Sequence, residues 1–281
     1  MTILVPTDFS SKAGYALSLA CQIARKQQVD IRLLHLLEHP EGVLLNASGD
    51  INLEQPTDNP FIVDLMDAAK ESMDNLAQSC LHTDVIKDVH IGMPNSDLAE
   101  NIVNTEADLI VLSYEGKGEP ETLGKIPEKV IRTAPCPVVT IKSPMVLKEL
   151  KSIVYASNLS EKEKPVIEKL KVLQQWFNVK ILVLKVFTTS HERPQEYHWK
   201  VIHKFIKENG MSNSHPHFIH APSEEEGILE FARKQGAGMI ALGTHGRKGL
   251  ARLFSGSIAE NLSHFTHLPV WTCNLKVGED L

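Results

Sequence analysis

Short apolar, β-branched runs alternate with stretches of helical periodicity along the whole chain, and their order predicts the fold. In the first half, strands are expected over 3–7, 30–37, 85–91, 108–113 and 137–141, with helices over 10–27, 61–81, 96–105 and 123–132. Strands of this kind separated by helices imply a parallel sheet covered on both faces. Between 38 and 60 the pattern lapses into a polar loop carrying Pro40, Gly42, Gly49, Pro56 and Pro60.

The pattern then repeats. Ile3-Leu4-Val5-Pro6-Thr7-Asp8-Phe9-Ser10 lines up with Ile153-Val154-Tyr155-Ala156-Ser157-Asn158-Leu159-Ser160, 150 residues on, and the strand beginning at Asp108 lines up with that beginning at Gly238, 130 residues on. The second copy thus lacks about as many residues as the loop 38–60 contains, which marks that loop as an insertion. Pro137-Val138 matches Pro269-Val270, 132 residues on, so two extra residues sit in the second copy's loop between the fourth strand and its helix. A polar segment from Lys142-Ser143-Pro144 onward reads as the linker. The expected organisation is two α/β domains, 1–146 and 147–281, each long enough to bury its own core.

Composition narrows the function. Of the 281 residues 42% are hydrophobic and 23% charged, and a formal net charge of −6 provides no basic footprint for nucleic acid. The first residues lead straight into a strand, and no apolar stretch approaches the ~20 residues needed to span a bilayer. The expectation is a soluble, unprocessed, cytoplasmic protein with no membrane partner. Cys21, Cys80, Cys136 and Cys273 are far apart and form no C-x-x-C pair, so no disulfide is expected.

Candidate chemistry lies in the enlarged loop of the second copy. The strand ending at Leu242 runs into Gly243-Thr244-His245-Gly246-Arg247-Lys248-Gly249, and Gly256-Ser257-Ile258 opens the next helix. Glycines let the backbone turn sharply and approach a ligand, while a helix start presents unpaired N–H groups and about half a positive charge, which suits a phosphate. Ser257 adds a hydroxyl, and Arg247, Lys248 and Arg252 add mobile positive charge. In an open parallel sheet the ligand crevice lies beyond the carboxyl ends of the first and fourth strands, so Asn158 and Gly243 are expected to face the same space.

The spacing Gly243-x2-Gly246-x9-Gly256-Ser257, with Val5-Pro6-Thr7-Asp8-Phe9-Ser10, resembles the universal stress protein family over nearly the whole chain. The resemblance implies Rossmann-like, doubly wound five-stranded sheets in the order 3-2-1-4-5, paired through their fifth strands into a pseudo-dimer, with a homodimer left open. It also implies ATP, ADP or AMP as ligand, with Mg²⁺ as an open addition. Gly243, Gly246, Gly256 and Ser257 take the phosphate positions, with His245, Arg247 and Ile258 beside them. Asn158 falls where the family has an Asp against the adenosine moiety, and Val186 borders the adenine, with Ala156, Ser157 and Leu242 alongside. The first copy keeps Asp8, but its loop begins Ser113-Tyr114-Glu115-Gly116 and carries Lys125 at the hydroxyl position. Three glutamates there, Glu115, Glu119 and Glu121, would repel a triphosphate. The first site therefore reads as degenerate for ATP.

Other motifs read blandly. Gly118 to Lys125 has the wrong glycine spacing for a P-loop, and Ile126 stands where a hydroxyl must bind magnesium. Strand alternation separates His215 and His217 from His220, against a zinc cluster. His245 has no evident carboxylate partner for general-base work, and His264 and His267 suit a helix end. Glu224-Glu225-Glu226 follows Ser223 as a capped first turn, and Glu161-Lys162-Glu163-Lys164 reads as a solvated helix start with Pro165 in its first turn. The leading expectation is stress-linked adenine-nucleotide binding by the second half, with an interaction scaffold or a slow ATPase as alternatives.

Overall fold

The computed structural model describes residues 1–38, 60–80, 83–92, 102, 105–115, 125–188, 194–244 and 256–275. The first half contains β1 (Thr2–Pro6), α1 (Ser11–Gln27), β2 (Asp30–Glu38), α2 (Pro60–Ala77), β3 (Val85–Gly92), β4 (Leu109–Ser113), α3 (Lys125–Thr133) and β5 (Val138–Ile141). The second contains β6 (Ser152–Ala156), α4 (Lys164–Phe177), β7 (Lys180–Phe187), α5 (Gln195–Glu208), β8 (Ser214–His220), α6 (Glu224–Gln235), β9 (Met239–Thr244), α7 (Gly256–Phe265) and β10 (Val270–Asn274). The helix expected over 96–105, apart from residues 102 and 105, and residues 39–59 of the loop lie outside the described residues.

All ten strands form one sheet in the order β3-β2-β1-β4-β5-β10-β9-β6-β7-β8, so each half is ordered 3-2-1-4-5 as expected. Pairing is parallel within each half and antiparallel at the seam, where Trp271 faces Val139 and Val270 faces Thr140. The joint has a physical cause. β5 and β10 are apolar strands buried along nearly their whole length, and each would otherwise present an open edge of unpaired N–H and C=O groups. Trp271 is only 1% exposed there, and Thr140 Oγ1 lies 3.0 Å from Ser263 Oγ across the joint. The linker is fastened as well: Gln22 Nε2 donates to the Met145 carbonyl at 2.9 Å, and its Oε1 accepts from Leu147 N at 2.8 Å.

The duplication extends to individual atoms. After each half's first strand a non-glycine residue takes a left-handed backbone, Phe9 at φ 60 and Leu159 at φ 61. Each is held by the hydroxyl two residues earlier, through Phe9 N to Thr7 Oγ1 at 3.1 Å and Leu159 N to Ser157 Oγ at 2.9 Å. Such a conformation is strained for a residue with a side chain, and its recurrence places the same sharp turn at the carboxyl end of β1 and of β6.

Cysteine usage departs from expectation. Cys21 on α1 and Cys80 beyond α2 are joined in a disulfide, with Cα atoms 5.3 Å apart across a sequence separation of 59. Both side chains enter the same apolar layer, a proximity that spacing along the chain does not reveal. Cys136 and Cys273 are free and buried, and burial pushes both thiols up to about 12. Thiolates react and thiols do not. A thiol reagent should therefore find no reactive cysteine in the native protein, two in denaturant, and all four once reductant is added. Four in denaturant alone would show that the Cys21–Cys80 bond does not form.

Candidate functional site

In the second half, β6 lies between β7 and β9, with Ala156 opposite Leu184 on one side and Leu242 on the other. The carboxyl ends of these strands therefore open at one level. That register brings together Ala156, Ser157, Asn158, Val186, Leu242 and Gly243 from three separate stretches of chain. Gly256 and Ser257 open α7, and Ile258 is buried in the apolar layer of that helix. His245, Gly246 and Arg247 lie outside the described residues.

A narrow cleft of about 160 Å³, its open mouth included, lies at this end of the sheet. Its apolar walls are Ala156, Leu184, Val186 and Ile228, and its polar groups come from Ser157, Lys185 and Glu224. The walls stand close together. Helix α6 contributes to this closeness. A Cβ at Gly227 would stand 2.7 Å from Val186 Cγ1, so glycine alone lets α6 approach that strand. Gly243 is likewise set by packing, since a Cβ there would meet Val166 and Leu275 atoms at 3.3 Å.

Beneath the cleft lies a polar cluster centred on Glu163. The Tyr155 hydroxyl donates to Glu163 Oε2 at 2.6 Å and the Ser157 hydroxyl donates to the same oxygen at 2.7 Å. Backbone N–H groups of Asn158 and Ser160 donate to Oε1 at 3.0 and 3.3 Å. Glu163 is 5% exposed, which corrects the reading of 161–164 as a solvated helix start. The Ser160-x-x-Glu163 spacing is itself a capping box, and that box was the available signal for an inward-turned carboxylate. Because Ser157 spends its proton on Glu163, its hydroxyl is not a ready donor for a ligand.

Lys185 is the second residue the sequence reading passed over. It is the lone cation inside the apolar run 181–187, and its ammonium donates to Asn158 Oδ1 at 2.7 Å. Burial lowers its pKa, against the opposing pull of Glu224 and Glu163. Desolvation raises the Glu224 carboxyl despite Lys185. The amide at 158 thus takes from a lysine the hydrogen bond that a carboxylate would have drawn more strongly.

The bland readings of the other polar residues fare as follows. Ser223 caps α6, accepting from Glu226 N at 3.1 Å. His217 packs on Phe231 and His220 on Phe187, on opposite faces of β8. Among the described residues no three His, Cys, Asp or Glu side chains are grouped to hold a metal, and no described helix is long and apolar enough to cross a membrane. In the first half the equivalent turn binds differently, with Ser10 N donating to Asp8 Oδ1 at 2.9 Å and His35 Nδ1 2.8 Å from the Thr7 carbonyl.

One sheet made of two doubly wound halves, each with its crevice beyond the first and fourth strands, defines a tandem α/β protein of the Rossmann-like type. The family model for universal stress proteins matches residues 1–142 and again 149–274, and the chain belongs to the universal stress protein family. Two universal stress proteins of Methanocaldococcus jannaschii are 27% and 26% identical to it, over 147 and 151 residues. Each alignment spans 50% of this chain and, respectively, 82% and 93% of the relative. A universal stress protein from Archaeoglobus fulgidus superposes with a TM-score of 0.70 at 20% identity, covering 97% of this chain and 96% of that one. At that identity the likeness is one of fold, and it extends over both halves.

Proposed function

We propose that this chain binds an adenine nucleotide, ATP, ADP or AMP, as part of a stress response, and does so mainly through a second domain comprising residues 147–281. The observation that carries the reading is the spacing Gly243-x2-Gly246-x9-Gly256-Ser257, whose first glycine is the next-to-last residue of β9 and whose last opens α7. A loop so anchored runs from a strand end to a helix start, where N–H groups and the helix dipole favour a phosphate. His245, Arg247 and Ile258 belong to that phosphate end, with Mg²⁺ as the natural counter-ion. Ala156, Ser157, Asn158, Val186 and Leu242 form the adenosine end. Lys185, tied to Asn158, and Glu224 line the cleft beside it.

The rival reading is an interaction scaffold that does not bind nucleotide. Calorimetry with ATP on protein stripped of nucleotide separates the two. One site per chain is expected. No heat of binding would favour the scaffold, and two equivalent sites would overturn the assignment to the second half.

A further inference from the structure

An ion cluster lies at the carboxyl ends of the first half's central strands. Three residues from three elements form it: Lys12 in the first turn of α1, Glu115 just beyond β4, and Lys142 just beyond β5. β1, β4 and β5 are neighbours in the sheet, so the cluster sits at their carboxyl ends. One carboxylate oxygen of Glu115 is paired with Lys12 and the other lies 3.5 Å from Lys142 Nζ. Lys142 also donates to the His264 carbonyl and lies 4.9 Å from the centre of the Tyr114 ring.

We propose that Lys12 and Lys142 form a binding site for a phosphoryl group in the first half, and that the Glu115 carboxylate is its built-in occupant. The Lys142 side chain is only 11% exposed, and its pKa is lowered by burial and by the neighbouring Lys12. Two ammonium groups brought together in a partly desolvated place require an anion between them. Glu115 supplies one negative charge through two oxygens, whereas a phosphoryl group supplies up to two charges through three. The glutamate expected to repel phosphate at this position is therefore itself neutralised and mimics it. At the matching positions of the second half stand Lys162, Asn274 and His245, which provide neither the second cation nor the internal anion.

The inference concerns the first half and stands apart from the nucleotide reading of the second. Its test uses the full chain carrying Gly246→Val, to silence the second-half loop, with and without Glu115→Gln. Pyrophosphate and ATP are titrated by calorimetry and followed by thermal melting. Glu115→Gln should raise pyrophosphate affinity at least about tenfold, because the competing carboxylate is gone, and adding Lys142→Met should remove the gain. Equal gains for pyrophosphate and ATP indicate that the phosphoryl group alone is recognised, whereas a gain for ATP alone would overturn the assignment. Unchanged affinity in Glu115→Gln, or a gain that survives Lys142→Met, would also overturn it. If Glu115→Gln fails to fold in plain buffer, pyrophosphate should restore folding, and failure to do so counts against the site. Should Gly246→Val leave second-half ATP binding intact, the nucleotide reading fails while the pyrophosphate comparison still decides this one.

Discussion

Glu163→Ala is expected to lower the unfolding free energy by about 3–6 kcal/mol, the largest loss of any single change near the second-half crevice. The Tyr155 hydroxyl, fully buried, and the Ser157 hydroxyl, 2% exposed, would both lose their acceptor. A buried donor left unsatisfied costs roughly 1–3 kcal/mol, and the Asn158 and Ser160 N–H groups lose theirs as well. Against a total of about 5–15 kcal/mol for a typical domain, such a loss is severe. The first half suggests a control, because it carries Val5 and Ala13 where the second has Tyr155 and Glu163. Tyr155→Val combined with Glu163→Ala removes donor and acceptor together, so the pair should cost less than the sum of the two single changes. Urea titration of the four proteins measures this. A loss below about 1 kcal/mol in Glu163→Ala would mean that water reaches the cluster and the carboxylate is not structurally central.

The contrast between Glu163 and its neighbours shows how far the sequence could be read. Alternating strands and helices were legible because hydrophobic period survives any detail of packing, and the repeat fixed the order of elements in both halves. A run of four charged residues gives no sign of which one turns inward. Glu163 does so because Ser160 and the turn at Leu159 fold the chain back over it, a consequence of three-dimensional geometry. Lys185 was hidden for the opposite reason, a polar residue submerged in an apolar strand pattern. Cys21 and Cys80 show the same limit, since α1 and the turn after α2 meet only once the sheet has assembled. The glycine loop was legible as spacing: Gly256 opens α7 as expected, whereas Gly243 pairs with Cys273 inside β9, which runs on to Thr244.

Between those two glycines stands Gly246, and Gly246→Val is expected to abolish nucleotide binding by the second half while leaving the fold intact. Gly246 itself lies outside the described residues, so the expectation rests on the family spacing and on the anchored ends of the loop. On the family spacing, a branched side chain at this position competes with a phosphate for the same space. If affinity is micromolar, the total binding free energy is about −8 kcal/mol. Each charge-assisted phosphate hydrogen bond contributes roughly 1.5–3 kcal/mol, so displacing two or three of them leaves almost nothing measurable. The melting temperature should hold, because connecting loops in general contribute little to the core. Ser257→Ala should be milder, about a tenfold loss, since it removes one hydroxyl while the helix N–H groups remain. Gly116→Val, the matching change in the first half, should leave ATP affinity unchanged. Titrating the three variants with ATP beside a thermal melt gives distinct outcomes. Undiminished binding in Gly246→Val would reduce the loop to a structural turn, and lost binding in Gly116→Val would move the nucleotide site to the first half.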